Sequence, residues 1–318
     1  SQKGGMAPTR HFLNHSDVRP GNNVIIELEL ASLKDMSDEN ASYIPKADHW
    51  RSNVSSMIWD DIELFLHGDA VIERMIPFTN LQEDKVDFHI YSKSLSKNDE
   101  PDLVKAELIK DEQIICSGEV PYHTSNKKNI VSVPFNGKIK LWSPEEPNLY
   151  KLRISLLKGK NIVDQREFNY GAKEFSMDES GYQFRLNGKP FKGRMVSVVW
   201  PRWVRNKEGH NLAWNDEWFK KNIVLRMKDL GANMLRFHLG NPPEKFIDMC
   251  DKYGLLVQYE WSFFHGMTAS EESLIEQWAD WMDLGLEHPS VGLIHPYNET
   301  YGDQLKVAWS AIDKIITD

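Results

Sequence analysis

The sequence holds only two cysteines, Cys116 and Cys250, in 318 residues, and they fall in stretches assigned below to different domains. A disulfide framework is thereby excluded. No stretch approaches the roughly 20 consecutive apolar residues that a membrane-spanning helix requires, so no membrane partner is expected. Excess positive charge is also missing. The 38 Lys plus Arg stand against 47 Asp plus Glu, a formal charge of -9, and no local basic patch overrides that balance. A polyphosphate partner would meet net repulsion, so nucleic acid is not expected either. The opening residues SQKGGMAPTR lack an apolar core, and any secretory signal is expected to be already removed or never to have existed. No Gly-x-Ser-x-Gly elbow, no Gly-rich phosphate loop after a strand and no His/Asp/Glu grouping at convincing metal-ligand spacing occurs. The expectation is therefore no metal and no cofactor.

Aromatic residues, by contrast, are plentiful. The eleven tryptophans have flat faces that stack well on sugar rings, although a core position accounts for most such side chains. Asn14, Asn40 and Asn53 each open an Asn-x-Ser sequon, a pattern too short to fix the compartment. A periplasmic or secreted location is favoured over a cytoplasmic one.

The chain changes character near residue 175. Before it, Asp61–Leu66, Lys85–Tyr91, Leu103–Ile109 and Leu149–Leu156 alternate apolar with polar residues, and Gly, Pro and polar punctuation separates them. Several half-buried strands at short spacing predict an antiparallel β-sandwich over residues 58–174. Residues 1–57 hold one more alternating run, Asn23–Leu30. A single strand cannot form a core, so this part reads as the tail of a preceding β domain.

After residue 175 the period changes to that of helices alternating with brief apolar strands. The hairpin signal Arg185-Leu-Asn-Gly-Lys189 leads to a strand at Met195–Trp200. Asn215 is placed to cap a helix with Phe219, Ile223, Met227 and Leu230 on one face, and Gly231 to end it. Then come a strand at Asn233–His238 and a helix with Phe246, Met249, Cys250 and Tyr253 inward, opened by Asn241-Pro242 and closed by Gly254. A third strand, Leu255–Glu260, precedes a helix carrying Leu274, Trp278 and Met282. The fourth strand lies within HPSVGLIHPYNET, residues 288–300, and the last helix turns Leu305, Trp309, Ile312 and Ile316 inward. Four consecutive strand–helix units require a parallel sheet, either doubly wound or the first half of a (β/α)8 barrel over residues 175–318. The missing phosphate loop favours the barrel.

Working groups in such a barrel sit at the C-terminal ends of the strands. Those ends carry Trp200, then Arg236 and His238, then Glu260, then Asn298 and Glu299. Glu299 suits the acid that protonates a leaving glycosidic oxygen. Asn298 can hold a sugar hydroxyl, and Arg236 can orient a carboxylate. Each residue also has a plainer reading. A carboxylate after a strand often serves as a helix cap or first-turn charge. Arg236 and Glu260 can simply pair inside the barrel, His238 can be a structural hydrogen-bonding group, and Trp200 can close the core instead of stacking a sugar.

Four segments, LWSPEEPNLYKLRISL (141–156), RLNGKPFKGRMVSV (185–198), GANMLRFHLGNPPEKFIDMCDKYGLLVQYEW (231–261) and HPSVGLIHPYNE (288–299), resemble in order the signatures of family 2 glycoside hydrolases. The resemblance implies a sugar-binding jelly roll whose end is residues 1–57, an immunoglobulin-like sandwich at 58–174 and a catalytic barrel. It implies a retaining β-glycosidase acting on an oligosaccharide or other β-glycoside, with Glu299 as acid/base and Asn298, Arg236, His238, Glu260 and Trp200 as substrate-binding residues. His295-Pro296-Tyr297 departs from the family's usual approach to the Asn-Glu pair, which alters the expected pocket wall. The family's nucleophile lies on the seventh barrel strand, to which Glu260 on the third does not correspond. The chain is thus expected to be an interior piece of a larger enzyme. A homo-oligomer or a further C-terminal segment would cover the half-barrel. The competing expectation is a non-catalytic carbohydrate-binding or assembly module on the same scaffold.

Overall fold

The computed structural model describes residues 9–13, 18, 21, 23–30, 58–95, 100–123, 128–264 and 269–317. The three Asn-x-Ser sequons at Asn14, Asn40 and Asn53 and most of the expected jelly-roll remnant lie outside these residues. Seven antiparallel strands follow in the first half: β1 (Ala70–Asn80), β2 (Lys85–Ser94), β3 (Leu103–Lys110), β4 (Gln113–Pro121), β5 (Asn129–Pro134), β6 (Tyr150–Lys158) and β7 (Asn161–Tyr170). They form two sheets, β1-β2-β5 and β4-β3-β6-β7. Their inward residues, among them Phe88, Ile90, Val104, Ala106, Leu108, Val131, Val133, Leu152 and Ile154, form one core. Alternation is why these segments are strands, since period two puts every second side chain on the buried face. The β3–β4 turn is tightened by Asp111 and Glu112, both at positive φ, the twist that two-residue hairpins demand.

Two expected strands are absent. Asn23–Leu30 and Asp61–Leu66 are described but belong to no ladder, and Ile25, Ile62, Leu64 and Leu66 are 73–93 % exposed. Alternation makes a strand possible, but a neighbour with free backbone groups makes it real. Among the described residues the first strand of the sandwich is thus β1, from Ala70.

The second half opens with a small sheet, β8 (Phe175–Met177), β9 (Phe184–Leu186) and β10 (Lys189–Pro190), in the order β10-β9-β8. Asn187 and Gly188 turn it at positive φ, as the Asn-Gly pair predicts. Four parallel strands follow, β11 (Met195–Val198), β12 (Met234–Phe237), β13 (Leu256–Phe264) and β14 (Val291–Asn298), each hydrogen-bonded to the next in chain order. The helices are α1 (Trp200–Arg205), α2 (Asp216–Phe219) continuing through a π-helical turn (Lys220–Leu225) into α3 (Arg226–Asp229), α4 (Glu244–Tyr253), α5 (Glu271–Glu287) and α6 (Asp303–Thr317). Asn215 caps α2 by accepting the Trp218 N–H at 2.9 Å, and Gly231 and Gly254 end their helices at φ 83° and 77°. The cap of α4 differs from expectation. Its N-cap residue is Pro243, which has no side-chain oxygen, and Asp60 from before the sandwich accepts the Glu244 N–H at 3.0 Å instead.

The parallel sheet has two unlike faces. Its outer face, with Leu235, Phe237, Val257 and Tyr259, packs under the helices against Phe246 and Trp278, with Ile312 at the edge. Trp309 and Ile316, expected inward beside Ile312, are instead 58 % and 73 % exposed, since no described element packs over that side of the last helix. The inner face changes along the strands. Met234, Leu256 and Leu293 near the strand starts pack with Leu186, Phe191 and Trp142, so the β8–β10 sheet closes that end. One step further along, the inner face becomes polar. Trp142 also ties the two halves together, since its Nε1 donates to the Asp251 carbonyl on α4 at 2.8 Å. Cys116 and Cys250 are free and buried.

Candidate functional site

The polar stretch of the inner face is organised by one buried carboxylate. Glu260, in β13, has no exposed surface. It accepts from Arg236 Nε at 2.7 Å, from His238 Nδ1 at 2.8 Å and from the Leu239 N–H at 2.9 Å, while His295 Nδ1 lies 3.3 Å from its second oxygen. Burial by itself would push its pKa up. The bonds from His238, His295, Arg236 and the Leu239 amide outweigh that and hold the carboxyl at about 2, so it is an anion throughout the neutral range.

Parallel register explains the convergence. Phe237 pairs with Tyr259 and Glu260 with His295, so Arg236, Glu260 and His295 project from neighbouring strands onto the same face. Beyond β12 the chain turns at Leu239 and Gly240, with φ of 63° and 134°. The left-handed Leu239 is a costly conformation for a branched residue, and Glu260 grips its amide.

Arg236 reaches further. Its Nη2 donates to Asn298 Oδ1 at 2.7 Å, which fixes the orientation of that amide. The other end, Asn298 Nδ2, is buried and has no hydrogen-bond partner, a donor presented at the C-terminal end of β14. The next residue, Glu299, stands in the left-handed region at φ 49° and is exposed. The strand therefore ends in an oriented amide followed by a solvent-facing carboxylate.

The expected site residues divide accordingly. Arg236, His238, Glu260 and Asn298 form one hydrogen-bonded network, with Glu299 adjoining it on the same rim. Arg236 and His238 keep 21 % and 23 % of their side-chain surface open, which leaves room for substrate contact. Glu260 has none, and its carboxylate oxygens are taken up by Arg236 and His238. Trp200 is not on the rim. It is 4 % exposed, donates from Nε1 to the Ala213 carbonyl at 2.6 Å and packs on Trp59 and Trp214. The strand ends at Val198, and the chain then turns into α1, which carries the indole into the helix layer.

Sequence reasoning missed His295 and Gln258 as members of the network; their side chains touch each other beside Glu260. Same-face spacing on β13 and β14 was the signal available, but a register shift between Val257 and Gln258 hides which residues meet. A second cluster was also missed. Asp248, Asp251 and His288 bring potential ligand atoms within 4.8 Å of one another, on the helical side of the sheet. No helix among the described residues is long and apolar enough to cross a membrane.

Comparison with known proteins agrees with this architecture. The model of the "Glycosyl hydrolases family 2" matches residues 74–173. A putative beta-glucuronidase from Formosa agariphila is 31% identical over 175 residues, 52% of this chain and 16% of its own length. A beta-galactosidase from Lactococcus lactis is 28% identical over 229 residues, 71% of this chain and 21% of its own. Among solved structures, a glycosyl hydrolase family 2 member from Bacteroides cellulosilyticus superposes with a TM-score of 0.61 at 19% identity, covering 77% of this chain and 33% of the other. A beta-D-glucuronidase from Dictyoglomus thermophilum gives 0.55 at 23%, covering 77% and 41%. The chain spans only about a sixth to a fifth of these two curated relatives.

Proposed function

From the match of residues 74–173 to the glycosyl hydrolases family 2 model and the likeness to its relatives, we propose that the chain is a member of that family and carries the acid/base half of a retaining β-glycosidase site. Its four parallel strands are read as the first half of a (β/α)8 barrel, and its seven-stranded sandwich as the immunoglobulin-like domain that precedes it. Strand order without reversal supports the barrel, since a doubly wound sheet would change direction. The open edges at β11 and β14, and Trp309 and Ile316 of α6 at 58 % and 73 % exposure, support cover by further strand–helix units.

In this reading Glu299 protonates the departing glycosidic oxygen and later deprotonates the attacking water. Asn298 Nδ2 donates to a hydroxyl of the bound sugar, Arg236 holds that amide, and Glu260 fixes Arg236 and His238. The second carboxylate of a retaining pair must stand about 5–5.5 Å from the first. Glu260 is committed to four donors, so the nucleophile is assigned to the additional length that the relatives possess. The observation that carries the proposal is the buried, unpartnered Asn298 Nδ2, fixed by Arg236 beside an exposed carboxylate. A polar donor so placed lacks a partner that a sugar hydroxyl would supply.

The test is Glu299→Gln in the complete enzyme, assayed on aryl β-glycosides of graded leaving-group acidity. The glycosylation step should slow by about 10²–10⁴-fold for poor leaving groups and much less for good ones. Equal losses for both, or unchanged turnover, would refute Glu299 as the acid, and absence of any turnover by the parent would favour the non-catalytic binding module.

A further inference from the structure

The end of α5 is held from two sides. Glu287 and His288 are adjacent in the chain but face different partners, and each can gain or lose a proton. On one side stands β1, an edge strand of its sheet, whose outward N–H groups need partners from elsewhere. Asp164 Oδ2 accepts the Ile72 N–H at 2.7 Å, and Glu287 Oε1 accepts the Met75 N–H at 3.3 Å. On the other side stands α4. His288 is buried, its Nδ1 lies 2.8 Å from Asp251 Oδ2, and Asp251 Oδ1 accepts the Ser290 N–H at 2.8 Å. Glu244 and Asp248 add carboxylate oxygens 3.7 and 3.8 Å from the ring, so His288 is the cation of that group. The sandwich meets the same spot. Trp142 Nε1 donates to the Asp251 carbonyl, and Pro289 packs so close that a Cβ on Gly171 would stand 2.9 Å from it.

The cations facing Glu287 are engaged elsewhere. Arg74 Nη1 contacts Asp283 and lies 3.7 Å from Asp280, while the guanidinium covers the Tyr91 ring at 4.1 Å. Arg166 donates to the Ile72 and Glu73 carbonyls, both at 3.3 Å. Lys173, beside Asp251, donates to the Val291 carbonyl at 2.5 Å. Burial therefore holds the Glu287 carboxyl up at about 7 against the pull of the Met75 amide, Arg166 and His288, and holds Asp283 up at about 6 despite Arg74. For His288 burial works downward, but Asp251, Glu244 and Asp248 outweigh it and raise the ring to about 9. Arg10, Arg74, Asp280, Asp283 and Glu287 line one crevice, the path by which protons reach the carboxyls.

We propose that the end of α5 is a proton-controlled latch between the sandwich and the parallel sheet, closed while Glu287 is neutral and His288 charged, and released as those protons leave. Such a latch works whether or not the rim hydrolyses glycosides. A neutral carboxyl still accepts the Met75 N–H, whereas an ionised one buries a charge near two other carboxylates. Asp283, Glu287 and His288 all hold their protons more tightly in the fold than in the unfolded chain, so closure weakens as pH rises. Their contributions are complete below the ordinary values of 3.8, 4.5 and 6.5, and are lost as pH climbs through about 6, about 7 and about 9 respectively. The latch sits at the entry to β14, which ends at Asn298, so its release loosens the strand that presents the rim carboxylate.

The experiment is hydrogen–deuterium exchange of the full chain between about pH 5.5 and about pH 9.5, with rates corrected for the intrinsic pH dependence of exchange. The Met75 and Ser290 amides are the reporters, since each donates to one side of the latch. In the parent, protection of both should fall at least about tenfold across this range, the effect of one pKa unit. Glu287→Gln keeps an acceptor for Met75 and cannot ionise. Its Met75 protection should stay level, and its Tm should exceed the parent's near the alkaline end but not near the acid end. His288→Gln removes the buried cation, so its Ser290 protection should be low already at the acid end and nearly independent of pH. Level Met75 protection in the parent would overturn the latch, and so would a fall that Glu287→Gln does not remove. A Ser290 fall that persists undiminished in His288→Gln would overturn the part given to the histidine.

Discussion

Replacing Glu260 by Gln tests the centre of the rim network. The carboxylate accepts from Arg236, His238 and the Leu239 amide and faces His295. A glutamine keeps one acceptor oxygen but must turn an N–H₂ toward a guanidinium or an imidazole. The folded state holds Glu260 at about 2 against an ordinary 4.5, a gap that corresponds to about 3 kcal/mol at roughly 1.4 kcal/mol per pH unit. Breaking a buried ion pair by removing one partner costs about 3–5 kcal/mol, which agrees. For a cooperative unit of this size, about 2–4 °C per kcal/mol gives a fall in Tm of about 6–12 °C at pH 7. The pH dependence sharpens the test. A depressed carboxyl pKa contributes stability that is fully present above 4.5 and is lost as pH falls through about 2. The parent should therefore lose its advantage over the variant between pH 4.5 and pH 2. Thermal and urea unfolding at several pH values would measure this. A Tm within about 2 °C of the parent at pH 7, or a difference that persists undiminished at pH 2, would refute Glu260 as the charged organiser.

Two further substitutions probe the frame that holds the rim. Gly254→Ala places a Cβ at φ 77° and against the Pro144 carbonyl oxygen, so stability should fall by about 1–3 kcal/mol in denaturant titration. A change below a few tenths would show that the α4 C-terminus relaxes freely. Trp142→Phe removes the indole donor to the Asp251 carbonyl and should cost about 1–3 kcal/mol. Hydrogen exchange should quicken at both the sandwich end and α4, and quickening in the sandwich alone would show that this bond does not join them.

Much of the fold is local and was therefore legible. The alternation in β2, β3 and β6, the Asn215 cap, the glycine stops at Gly231 and Gly254, and the helix faces around Phe246 and Trp278 all follow from a few neighbouring residues. The placement of Arg236, His238, Glu260, Asn298 and Glu299 at one rim followed too, because parallel strands all end on the same side. What lay beyond the sequence depended on distant partners. Asn23–Leu30 and Asp61–Leu66 have the pattern of strands but, among the described residues, no neighbour to pair with. Trp200 has the position of a rim residue, yet the turn after Val198 buries it against Ala213 and Trp214. The register shift in β13 and β14 brings His295 to Glu260, and a gap of 37 residues closes between Asp251 and His288. Periodicity fixes which face of an element is apolar, whereas the environment of a polar side chain is fixed by what packs opposite it. Only the tertiary structure therefore decided that Glu260 is buried among Arg236, His238 and the Leu239 amide and that the buried Asn298 Nδ2 keeps no partner.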